Sequence, residues 1–193
     1  MDYLKGGEFL VKDTAANEVF IRENFNEEQR MMFQATHEFL EREIRPNLMR
    51  FEEKDYALVE RLMRKAGELG LLGISVPEKY EGLGMGFNTG MLICEEISSL
   101  TGSIATAFGA HTGIGTLPIL LYGNEEQKQH YLPNLASGKW MACYNLTEPN
   151  AGSDANAGKT KAVLSNDGEH YEITGQKIWI SNAGFADVFI VFA

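Results

Sequence analysis

Apolar side chains recur with helical spacing from residue 27 to about residue 136, and from Lys139 onward they fall into short strand-like blocks. Asn26 has the character of an N-cap, with Glu27 and Glu28 in the first turn and Gln29 at the third helical position. That arrangement satisfies orphan backbone amides reciprocally and places negative charge at the positive end of the helix dipole. Met32, Ala35, Phe39, Leu40 and Ile44 share one face, and Pro46 is expected to end or bend the helix. A second helix is expected over 56–70, with a stripe of Leu58, Leu62, Ala66 and Leu69 and a stop at Gly70. A third is expected over 87–100, carrying Met91, Ile93, Cys94, Ile97 and Leu100. A fourth, over 103–120, is rich in small residues, which let a neighbouring helix or a ligand approach the backbone closely. A fifth starts near Asn124, another cap candidate, with Glu125 and Glu126 in its first turn, and ends around Ala136-Ser137-Gly138. Residues 1–25 read as an extended or weakly helical lead-in with an apolar patch at Phe9, Leu10 and Val11.

Strand candidates follow at Trp140–Thr147, Thr160–Leu164, Tyr171–Thr174, Lys177–Ser181 and Val188–Ala193, with turn chemistry at Asn166-Asp167-Gly168. The expected organisation is α+β: a lead-in (1–25), a helical domain (26–137) and a partial β domain (138–193). The last apolar run stops at Ala193, and a strand with no continuation leaves an open sheet edge, so truncation is the expectation.

Composition narrows the function. A net charge of −10 disfavours nonspecific binding to nucleic acid or anionic membrane. It leaves room for anionic ligands, which backbone amides bind inside acidic proteins. Cys94 and Cys143 lack ligand or disulfide spacing and read as reduced core residues. The start, Met1-Asp2-Tyr3-Leu4-Lys5, lacks a signal-like apolar run, and no stretch reaches the roughly 18 apolar residues of a membrane span, so a cytoplasmic protein is expected. Gly82, Gly84 and Gly86 suggest a dinucleotide loop, but the spacing is not G-x-G-x-x-G and no βαβ unit surrounds them, so a flexible loop is the reading. His37, His130 and His170 are too scattered for a metal site. His111 is read as a hydrogen-bonded histidine on a helix face, with a functional position as the alternative.

The chemistry is concentrated in two stretches. The first is Tyr144-Asn145-Leu146-Thr147-Glu148-Pro149-Asn150-Ala151-Gly152-Ser153-Asp154, and the second is Gln176-Lys177-Ile178-Trp179-Ile180-Ser181-Asn182-Ala183-Gly184. Singly, each reads as a turn or a core segment. In this order and at this separation they resemble the acyl-CoA dehydrogenase family, as does the link Leu132-Pro133-Asn134-Leu135-Ala136-Ser137-Gly138. The lead-in and Gly109-Ala110-His111-Thr112-Gly113-Ile114-Gly115 look most like the long-chain and very-long-chain branch. One departure is Asn145, where the family usually has a small residue.

The resemblance implies a helical N-terminal domain followed by the first part of an antiparallel β-barrel-like middle domain. It implies FAD as cofactor and an acyl-CoA as substrate, with electron-transfer flavoprotein as partner and a homo-oligomeric complete enzyme of the fatty acid β-oxidation type. The cofactor-binding candidates are Tyr144, Leu146, Thr147, Gly152, Ser153, Trp179, Ile180 and Ser181. The Leu146 amide and the Thr147 hydroxyl would serve the flavin's polar edge, Trp179 would pack on the ring system, and Ser181 would lie near N5. Ser153 is the candidate for touching the acyl-CoA. No catalytic residue is assigned, because the family's base comes from a C-terminal helical domain, and Glu148 is read as a loop-anchoring carboxylate. Two rivals remain: another flavoenzyme on the same scaffold, such as an acyl-CoA oxidase or flavin monooxygenase, and a non-catalytic helical interaction module.

Overall fold

The computed structural model describes Leu4 and residues 6–193; the rest of the lead-in, including Met1, Asp2, Tyr3 and Lys5, lies outside the described residues. Helix α1 spans Glu27–Phe39, and the predicted capping box is present, Asn26 accepting from the Gln29 amide and Gln29 from the Asn26 amide. The helical path continues through a π turn (Leu40–Ile44) and a 3-10 turn (Arg45–Asn47) before α2 (Leu48–Glu52). Pro46 therefore bends the path rather than ending it, because its missing N–H falls in a first turn, where no intrahelical partner is needed. Then come α3 (Tyr56–Glu68), α4 (Phe87–Ser98), α5 (Gly102–Gly109), a π turn (Ala110–Gly115), α6 (Leu117–Tyr122) and α7 (Glu125–Ala136). The lead-in forms three short 3-10 turns, with Leu10 and Val11 largely exposed.

Most of the predicted stripes form the core. Phe39, Leu40, Ile44, Leu58, Leu62, Ile93, Ile97 and Phe108 pack in one cluster, and a second gathers Val76, Tyr80, Ile119, Leu132, Leu135 and Ala142. Each such aliphatic side chain removed from water contributes about 1.5–3 kcal/mol. Three positions differ from the sequence reading. Ala35 is exposed and Thr36 is buried in its place, with its hydroxyl donating to the Met32 carbonyl. Leu69 and Met91 are also exposed.

The β part differs more. Strand β1 (Ala142–Asn145) pairs in parallel with β4 (Val188–Val191), while β2 (Lys161–Leu164) and β3 (Tyr171–Thr174) form an antiparallel hairpin. The described residues thus form two separate two-stranded sheets, not an antiparallel barrel. The expected strand at Lys177–Ser181 is irregular, because Trp179 (φ 59°) and Asn182 (φ 68°) are left-handed and break an extended backbone. The hairpin carries exposed apolar residues, among them Val163, Tyr171 and Ile173.

Close approaches that only glycine permits pack the helices together and join them to β1. A Cβ on Gly67 of α3 would lie 2.4 Å from the Ser137 carbonyl oxygen, and one on Gly115 would lie 2.6 Å from the Ala142 Cβ. His111, in the π turn, is fully buried at this junction. Its Nε2 lies 3.0 Å from the Leu135 carbonyl in α7, and its Nδ1 accepts from the Ala142 amide in β1 at 3.0 Å. Both contacts are met only by the neutral ring with its proton on Nε2. Burial pushes its pKa down to about 4, against the opposing pull of the Leu135 carbonyl. The bland reading of His111 therefore holds.

The helical run Gly102–Tyr122, with a mean hydropathy of 1.4, is long and apolar enough by length and composition to cross a membrane, although Ser103, Thr106, His111, Thr112 and Thr116 interrupt its apolar residues. Its buried residues, including Ile104, Phe108, His111 and Ile119, pack inside this fold. Cys143 is buried and Cys94 only partly so; both are free thiols.

Candidate functional site

The two motifs, far apart in sequence, meet at the end of β1. The Ile178 amide donates to the Thr147 carbonyl at 3.0 Å, and Lys177 Nζ donates to the Leu146 carbonyl at 3.0 Å and to Glu148 Oε1 at 2.8 Å. Lys177 and Glu148 are nearly buried, at 12% and 7% side-chain exposure. Glu148 also accepts from the amides of Lys159 (2.6 Å) and Thr160 (2.9 Å) and from the Thr160 hydroxyl (2.5 Å). The Lys159 amide, then Lys177 and Thr160, hold this carboxyl well below the usual carboxylate range. A carboxylate with this many donors is a poor proton acceptor, so Glu148 is an anchor, as its sequence context suggests.

The two motifs also carry groups with unused bonding capacity. Among the described residues, the hydroxyls of Thr147, Ser153 and Ser181 have no partner within the chain. Trp179 is 88% exposed yet held in the left-handed region, which costs a non-glycine residue about 1–2 kcal/mol. A large apolar ring held out in a costly conformation, unpacked, is what a platform for a planar ligand needs. Ile180 and Ser181 are half-buried beside it, and Ser181 lines a cleft with Asn182, Thr106 and Phe185. Tyr144 and Leu146 face a different cleft, with Glu148, Lys177 and Phe192, and Tyr144 packs edge-on against Phe192 at 4.9 Å. Gly152 and Ser153 sit on an exposed turn just past the Glu148–Ala151 bridge, whose two reciprocal bonds are 3.1 Å long. Asn145 is buried, its amide reaching Cys143 Sγ and the Ile190 carbonyl, so the departure from a small residue is absorbed under β4. The two motifs thus run alongside β1, Ile178 bonded to Thr147 just past its end and Asn182 bonded to Ala142 at its start; Ser153 stands on its own turn.

Sequence reasoning missed Asn182, which is buried and donates from Nδ2 to the Ala107 carbonyl (2.8 Å) and the Ala142 carbonyl (3.3 Å). It also missed an apolar cavity of about 390 Å³ between α4, the start of the π turn and the 71–76 link. Leu72, Met85, Met91, Phe108, Gly109 and Gly113 are among its lining residues, and none of the lining residues is charged. Its only advance sign was the small-residue run in the fourth predicted helix. His111 does not line it, although Thr112 does. No group of three or more metal-ligating side chains occurs among the described residues.

Two family models match the chain: acyl-CoA dehydrogenase N-terminal domain over residues 26–139 and acyl-CoA dehydrogenase middle domain over residues 143–193. The chain belongs to the acyl-CoA dehydrogenase family. A relative from Bacillus subtilis (strain 168), named "Probable acyl-CoA dehydrogenase", is 47% identical over 192 residues, covering 100% of this chain and 32% of that protein. The crystal structure of an acyl-CoA dehydrogenase complexed with FAD from Bacillus anthracis superposes with a TM-score of 0.93 at 48% identity, over 98% of this chain and 32% of that one. Butyryl-CoA dehydrogenase from Megasphaera elsdenii gives 0.80 at 33% identity, over 88% of this chain and 45% of the other. The chain spans about a third of the length of the first two.

Proposed function

We propose that this chain supplies the helical domain and one wall of the flavin site of an FAD-dependent acyl-CoA dehydrogenase of the fatty acid β-oxidation type. The observation that carries the reading is the contact of the two motifs beside β1, where the Ile178 amide meets the Thr147 carbonyl next to the Glu148–Lys177 anchor, the Thr147 and Ser181 hydroxyls are unpartnered and the Trp179 indole is exposed. These groups fit a flavin, whose pyrimidine edge needs hydrogen-bond donors and whose ring needs an apolar platform. The Leu146 amide and the Thr147 hydroxyl serve that edge, Ser181 donates on the other side of the ring, and Trp179 packs on it. Tyr144 and Ile180 flank these contacts, while Gly152 and Ser153 present a turn to the acyl-CoA. The domain division at residues 137 and 138 goes with this reading. FAD held here would supply the hydride acceptor for the substrate's β-hydrogen, with a base needed for the α-proton.

That base lies outside this chain. Glu148 is held ionised by four donors and so is a poor proton acceptor, and the one lone pair of the neutral His111 ring, on Nδ1, is taken by the Ala142 amide, so neither suits a substrate proton. The apolar cavity takes the acyl chain, since its lining offers no charge and glycines at 109 and 113 leave space. The complete enzyme is a cytoplasmic homo-oligomer that passes electrons to an electron-transfer flavoprotein. To test the reading, Thr147→Val and Ser181→Ala are made in the full-length enzyme and FAD affinity and potential are measured. One neutral hydrogen bond is worth about 0.5–1.5 kcal/mol, so a several-fold loss of FAD affinity or a matching shift in potential is expected. Unchanged affinity, spectrum and potential in both variants would reject the site.

A further inference from the structure

The Trp179–Ser181 loop is tied at its start, by the Ile178 amide to the Thr147 carbonyl and by Lys177 to Glu148, but Trp179 is exposed, and Ala183 and Gly184 are exposed after it. What ties its far end down is Asn182. This residue is 8% exposed and sits at φ 68°, a region that asparagine tolerates better than most side chains. Its two known contacts are both backbone carbonyls, so the side-chain nitrogen must face them. The Ala107 carbonyl belongs to the last turn of α5, where the helix passes into its π turn, and the same helix presents Phe108 and Gly109 to the apolar cavity. The Ala142 carbonyl belongs to β1, three residues before Asn145 and five before Thr147. One carboxamide therefore joins the cavity helix, the Thr147 strand and the Trp179 loop.

We propose that Asn182 is a positioning residue: its carboxamide fixes Trp179 and Ser181 at the flavin at a set distance from the acyl cavity. The proposal rests on the flavin reading above. The residue type is demanding. Aspartate matches the shape and backbone but has no donors; glycine matches the backbone but has no side chain; alanine matches neither.

The test uses the full-length flavoenzyme with 5-fluorotryptophan incorporated, the Trp179 fluorine resonance being assigned with Trp179→Phe. In the parent, adding FAD to the apoprotein shifts that resonance. In Asn182→Gly and Asn182→Asp the FAD-bound resonance moves toward its apoprotein position or broadens, FAD binds about tenfold more weakly, and kcat falls about tenfold. KM for the acyl-CoA stays within about twofold, because the cavity lining is untouched. A residue that only stabilised the fold would lower the melting temperature and leave the bound Trp179 resonance and the flavin potential at parent values; that result in the folded variants, from either substitution, overturns the proposal. If the parent binds FAD without moving the Trp179 resonance, the flavin reading of the loop fails and the proposal falls with it. If the parent resonance moves and the variants' does too, the flavin reading stands and only the role of Asn182 is lost.

Discussion

Protonating His111 should unlock the junction between the helical and β parts. Its pKa in the fold is about 4 because burial penalises the charged ring, against an ordinary 6.5 in an unfolded chain. Charging the ring would also cost the Nδ1 lone pair that accepts from the Ala142 amide. A depressed folded pKa means that the unfolded chain takes up the proton first. The stabilisation is therefore fully present above pH 6.5 and is lost as pH falls from 6.5 toward 4. At about 1.4 kcal/mol per pKa unit the gap amounts to about 3.4 kcal/mol in all, of which about 2 kcal/mol is lost by pH 5. The assay is urea unfolding at pH 7.5 and at pH 5.0, for the parent and for His111→Phe. The variant should be weaker at pH 7.5 by about 1–3 kcal/mol, because the buried Ala142 amide loses its acceptor. Its further loss on acidification should be smaller than the parent's by about 2 kcal/mol. Exposed histidines and the carboxylates titrate in both proteins and cancel in the comparison. Nitrogen NMR of the imidazole should report a neutral ring protonated on Nε2 down to pH 5. Equal losses on acidification in the two proteins, or a charged His111 in the folded protein at pH 5.5, would refute the reasoning.

Further outcomes follow from the same geometry. Incubated with FAD, acyl-CoA thioesters of several lengths and an artificial electron acceptor, this 193-residue chain should show no turnover above a no-protein control. Gly67→Ala should cost about 1–3 kcal/mol by overpacking against the Ser137 carbonyl, whereas Gly109→Ala, with no atom within 4 Å of the added Cβ, should leave the denaturation midpoint unchanged or raised. Hydrogen exchange of the chain as a monomer should find slow amides within 30–120 and faster ones within 185–193, where Phe189, Val191 and Phe192 are exposed; uniform strong protection across 139–193 would count against this.

The sequence by itself determined the features that are local. Caps at Asn26 and Asn124, the stripes of α1, α3 and α4, the hairpin turn at Asn166-Asp167-Gly168 and the two family motifs are all written in neighbouring residues, because helix period, capping and turn chemistry act over a few positions. His111 was legible as a structural histidine, and Glu148 as an anchor because the family resemblance puts the base in another domain. Only the tertiary structure decided the rest. Ile178 and Ile180 alternate like strand residues, yet Trp179 and Asn182 turn left-handed because Lys177 is drawn to Glu148 and Asn182 to carbonyls in α5 and β1. The parallel pairing of β1 with β4 joins residues more than 40 positions apart, and no local pattern encodes that register. The apolar cavity arises where two helices and a link approach without filling the space, a volume that depends on how the elements cross and not on the residues of any one of them.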